Sequence, residues 1–66
     1  MDGEVALRAR LAAMRTEHRA LDDAIEALSA DPLADHLELR RLKKRKLVLR
    51  DAIVRLEDEI TPDIIA

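Results

Sequence analysis

Two apolar seams of the same design run through this chain on either side of one proline-containing break, and no other feature restricts its fold as much. The first seam is Leu7, Leu11, Met14, Leu21, Ile25 and Leu28; the second is Leu39, Leu42, Leu49, Ile53, Leu56 and Ile60. Both follow the alternating four-and-three spacing of a heptad, which keeps apolar residues on one stripe of a helix. Each carries a single polar interruption, His18 in the first and Lys46 in the second. Between them stands Ser29-Ala30-Asp31-Pro32. Proline lacks an amide hydrogen and clashes in a helix interior, but its fixed φ suits a first helical turn. The spacing therefore predicts helices over about 3–29 and about 33–61, with a turn at about 30–33. Asp31 is the expected N-cap, and Asp35, with Glu38 three residues on, is its rival. A second break at Thr61-Pro62 leaves an apolar tail over 62–66, expected to dock on the helices or to be displayed as a short signal.

Folding the chain back at the turn matches the seams layer by layer. Leu28 meets Leu39, Ile25 meets Leu42, Met14 meets Ile53, Leu11 meets Leu56 and Leu7 meets Ile60, all in one register. That register centres the turn between Leu33 and Ala34, inside the break that proline marks independently. Charge selects the same orientation. Helix one is basic early (Arg8, Arg10, Arg15, Arg19) and acidic late (Asp22, Asp23, Glu26). Helix two is basic early and acidic late as well, so only an antiparallel pair sets opposite charges against each other. The expected flanking pairs are Arg8–Glu57, Arg10–Glu59 and Asp22–Lys43, each worth a few tenths of a kcal/mol. Arg15 opposite Arg50 is a misfit in this scheme.

With 66 residues the chain forms one small domain over 1–66. It has no cysteine, which excludes disulfides and thiolate metal sites and suits a reducing cytoplasm. No apolar run approaches the roughly 20 residues of a membrane span, and the opening Met-Asp-Gly-Glu lacks the basic and apolar regions of a secretory leader. The absence of aromatics removes the stacking platforms of single-stranded nucleic-acid modules.

The stretches His18-x-x-Leu21-Asp22-x-x-Ile25-x-x-Leu28 and Leu42-Lys43-Lys44-x-Lys46-Leu47-x-Leu49-x-Asp51-x-Ile53 resemble the YdcH-like family of small bacterial proteins of unknown function. The ending Pro62-Asp63-Ile64-Ile65-Ala66 is similar to endings in that family, and the resemblance spans about Thr16 to Ala66. Arg50 departs from the pattern, where a second lysine is expected before the aspartate. The resemblance implies a cytoplasmic, self-associating helical hairpin; it implies no activity, so no catalytic residue is carried over.

Several sharper readings compete with this one. Seven of the 12 cations fall between Arg40 and Arg50 with no acid among them, and Arg40, Arg41, Lys43, Lys44 and Arg45 are the candidate nucleic-acid contacts. A net charge of −2 favours a solvated face neutralised across the hairpin by Asp22, Asp23 and Glu26. His18 and His36 lie too far apart along the hairpin for a shared metal site, so His18 is expected to act as a register device in the seam. Lys46 should lay its stem along Leu21 and reach for Asp22. Thr16, Ser29 and Thr61 are not placed with a base and an orienting acid, so no enzyme, cofactor or small-molecule substrate is expected. Apolar residues outside the seam predict self-association: Leu47 and Val54 on one flank, Val48 beside Ala13 and Ala20 on the other. The expected architecture is an all-α antiparallel two-helix coiled-coil hairpin that self-associates as a homodimer, forming a four-helix bundle, or as a higher assembly. The expected role is a non-catalytic protein-interaction or scaffolding module with itself and an unidentified protein as partners, without membrane binding. The alternative is a nucleoid-associated DNA-binding protein.

Overall fold

The computed structural model describes residues 3–60, and the tail at 62–66 lies outside them. Two helices account for nearly all of this span: α1, Gly3–Ser29, and α2, His36–Ile60. They form an antiparallel hairpin, long and narrow. Its radius of gyration is 15.2 Å, against about 11 Å for a compact domain of this length. The elongation follows from a single stripe per helix, because one stripe can cover only one neighbour.

The turn differs from the expectation in one respect. Asp31 does not cap α2. Its carbonyl accepts the Ala34 amide at 3.1 Å and its carboxylate accepts the Leu33 amide at 2.9 Å. Asp31 to Ala34 is thus a closed turn, with Pro32 in the position after the acceptor, where its fixed φ is equally at home. The helix starts one acid later. Asp35 accepts the Leu37 amide on its side chain at 2.8 Å and the Leu39 amide on its carbonyl at 3.1 Å, which makes it the N-cap. The start of α2 accordingly moves from about 33 to His36.

Every seam position, His18 and Lys46 included, is buried or half-buried in the hairpin. Only Leu11, Leu21, Ile53 and Leu56 count as buried, and no described side chain is fully enclosed. Leu11, Ile53 and Leu56 form the tightest cluster, with Leu7, Met14, Leu49 and Ile60 packed around it at the end away from the turn.

Candidate interaction surfaces

A two-helix hairpin has two broad faces, and the heptad hands each a different share of the seam. Residues at the d positions (Leu7, Met14, Leu21, Leu28, Leu42, Leu49, Leu56) lean to one side, and those at the a positions (Leu11, His18, Ile25, Leu39, Lys46, Ile53, Ile60) lean to the other. The grooves show this sorting directly. The groove on the first side has Leu7, Met14 and Leu56 in its lining, together with Val48 and Ala52. The grooves on the second side take Leu11, His18, Ile53 and Ile60 instead.

The first side is a Leu/Ala face. All seven of its d residues are Leu or Met, and Ala6, Ala13, Ala20 and Ala27 follow one another at seven-residue steps along α1. Ala24 and Ala52 are half-buried there, whereas Val48 stands 63% exposed. Arg10, Asp51, Arg55 and Glu59 line the groove, and Glu17 and Arg45 stand beside it on the same flank. None of them forms an ion pair among the described residues. The expected Arg10–Glu59 pair is therefore absent.

The second side is an ion-pair face. Both interhelical salt bridges among the described residues lie on it: Arg15 to Glu57 at 2.7 Å and Lys46 to Asp22 at 2.5 Å. The Lys46 bond is the one expected from its position beside Leu21, and it displaces the expected Asp22–Lys43 pair. The Arg15 misfit resolves along the helix axis. Glu57 sits one heptad beyond Arg50 on the same flank, and in this register Arg15 falls between the two and pairs with Glu57. Arg8 turns to Glu4 one helical turn back, at 2.8 Å, an orientation that favours a short-range pair. The ammonium of Lys46, donating to Asp22, holds the Asp22 carboxyl below the usual carboxylate range; desolvation opposes this, and the charges of Lys46 and His18 add to it. His18 packs into this face with Nε2 buried and without a hydrogen-bond partner. Leu47 and Val54, the apolar residues of this flank, remain 61% and 46% exposed.

The basic block is more open than charge neutralisation across the hairpin requires. Lys46 pairs with Asp22, but Arg40, Arg41, Lys43, Lys44, Arg45 and Arg50 are exposed and make no ion pair among the described residues. Their heptad positions carry them most of the way round α2, so they form a collar instead of one stripe. Thr16 donates its hydroxyl to the Ala12 carbonyl at 3.1 Å, a local helix bond. Among the described residues no three His, Cys, Asp or Glu side chains cluster in a metal-holding geometry, and no helix is long and apolar enough to cross a membrane.

Two helices zipped along one seam, with open grooves and no enclosed cleft among the described residues, define a small antiparallel coiled-coil hairpin. Over residues 11–57 the sequence matches the family described as "Protein of unknown function (DUF465)", and the chain belongs to that family. YdcH is one of its members, so the resemblance carried by His18 to Ile53 was well founded. The match starts at Leu11, which brings five residues previously set outside the resemblance into the family's common core, and it stops short of the tail. No curated protein and no solved structure matches this chain.

Proposed function

We propose that this hairpin is a non-catalytic, cytoplasmic protein-interaction module whose working unit is a self-associated pair, most simply a four-helix bundle. The supporting observation is the thinness of its own core. Among the described residues four side chains are buried and none is fully enclosed. Its accessible surface is 5193 Å², against about 4,200 Å² for a compact monomer of the same mass. A single chain this short seldom holds itself together without a staple or a partner, and it has no cysteine to form a staple. Exposed Leu47, Val48 and Val54, with Ala13 and Ala20, supply the apolar surface that a partner would cover. Sedimentation equilibrium at micromolar concentration tests this. A dimer or higher assembly is expected, and a well-folded monomer overturns the reading.

A second reading is favoured by one observation, the six cations of the Arg40–Arg50 block that lack an acidic partner among the described residues. Such a collar is suited to neutralising phosphates, which would make the chain a nucleoid-associated DNA-binding protein. Fluorescence anisotropy of labelled duplex DNA across a salt series separates the two. Saturable binding near physiological salt that weakens steeply with added salt would establish the second reading, and its absence would leave the first.

A further inference from the structure

We infer that the second copy of this chain docks on the Leu/Ala face, related by a twofold axis parallel to the helices, so that each α1 packs between its own α2 and that of the second copy. This rests on the self-association proposed above and specifies the surface and the arrangement.

Three observations point to this face. Its share of the seam is the apolar one, because both polar seam residues, His18 and Lys46, lean to the other side. Its alanines let helix backbones approach closely, and they alternate along the groove with Val48 and the half-buried Leu7 and Met14. None of its groove-side charges forms an ion pair among the described residues, whereas both described interhelical salt bridges, Arg15–Glu57 and Lys46–Asp22, lie on the other face. The available area is sufficient. A 27-residue helix is about 40 Å long and two helix diameters span about 20 Å, giving about 800 Å² per copy, the usual size of a stable interface.

The unpaired charges also select the symmetry. With the twofold parallel to the helices, α1 of one copy lies against α2 of the other in the register already used inside the hairpin. Arg10 then falls level with Glu59 of the second copy, and Glu17 falls between Arg45 and Arg55 of the second copy. Ala20 meets Val48, and Ala13 meets Ala52. All adjacent helices run antiparallel. A twofold perpendicular to the helices, centred on the same alanines, instead brings Glu17 onto its own mate and Arg45 onto Arg55. Like charges across an interface disfavour that docking. Leu47 and Val54 end up outside this contact, on the opposite face.

Paired cysteines decide it, because the chain has no cysteine of its own. Ala20→Cys with Val48→Cys places thiols level across the inferred interface, whereas Ala12→Cys with Val54→Cys does so on the ion-pair face. After mild oxidation the first variant should run as a covalent dimer on a denaturing gel, and the second should stay monomeric. The reverse pattern overturns the inferred face while leaving self-association standing. A sedimenting dimer that neither pair traps overturns the arrangement, and a wild-type monomer overturns both it and the reading beneath it. As a check on the charges, Glu17→Arg should weaken dimerisation by about tenfold with helicity retained above the dissociation constant, a loss of the size expected for a buried interfacial charge pair. Adding Arg45→Glu should recover most of that loss. A double variant no tighter than the single one would overturn the inferred symmetry.

Discussion

The Leu/Ala face and the ion-pair face share one seam and one register, yet they are built for different solvents. On the Leu/Ala face the chain places only Leu and Met in the seam and small residues beside them, and its groove-side charges form no ion pair among the described residues. On the ion-pair face it spends the two interhelical salt bridges of the described residues, its seam lysine and its seam histidine. Salt bridges whose side chains are about half exposed stabilise little, but they make that face content in water. The contrast shows that amphipathicity in a hairpin works at two levels. The stripe decides which helix faces which, and the division of the stripe between a and d decides which side of the finished pair is left wanting a cover.

The strongest way to break the contrast is to carve into the Leu/Ala face. Leu56, buried in the tightest cluster, should cost about 2–4 kcal/mol on truncation to Ala, through lost transfer energy and a cavity that two helices cannot fill. Val54→Ala on the opposite face should change stability by less than about 0.5 kcal/mol, since the side chain is half in water already. Urea unfolding at fixed protein concentration reads both. Equal losses would erase the distinction between the faces.

A smaller effect of opposite sign belongs to His18. A buried ring nitrogen without a partner carries a desolvation penalty of about 1–3 kcal/mol. His18→Leu should recover part of it and raise the melting temperature at neutral pH. A lower melting temperature would mean that Nε2 is satisfied in solution, by water or by a second copy, and that the ion-pair face has a use beyond solubility.

The smallest effect is expected from Asp22→Asn. Because Lys46 holds the folded-state carboxyl low, its contribution to stability is present above the unfolded carboxylate value of about 3.9 and is lost as pH falls through the lower folded value. The variant should melt slightly lower than the wild type at pH 7 and lose less between pH 5 and strongly acidic solution. Parallel melting profiles would place the Lys46 ammonium elsewhere.

The seam and its register were legible in the sequence because a period of seven is a property of the chain alone. Polar His18 and Lys46 could be placed in the seam for the same reason, and the Lys46–Asp22 bond followed from stem length. The turn was harder. Pro32 fits both a first helical turn and a closed turn, and Asp31 and Asp35 are both competent caps, so the choice depended on which backbone amides were left needing acceptors. Surface ion pairs were the least legible. Arg8 had Glu4 within its own helix, and Arg15 had Glu57 one heptad away, and energies of a few tenths of a kcal/mol do not rank such options. The unpaired state of Glu17 and Arg45 was hidden for that reason, although their positions beside the d residues could have drawn notice.

The cluster of Leu11, Ile53 and Leu56 sits at the open end of the hairpin, far from the turn. Leu11 and Leu56 are about four times as far apart in sequence as Leu28 and Leu39, which the register pairs beside the turn. Closing the longer loop costs about 1.2 kcal/mol more in chain entropy, two doublings at about 0.6 each. The densest packing is thus found where closure is most expensive, and the turn end, whose strands of the zipper are brought together by Asp31 and Pro32, manages with half-buried leucines. Folding should begin at the turn and run outward, crossing two successive layers, Lys46 against Leu21 and His18 against Leu49, before the Leu11, Ile53 and Leu56 cluster closes. Committed closure is expected just beyond those two layers, so the central polar residues should act on the folding rate as well as on the register.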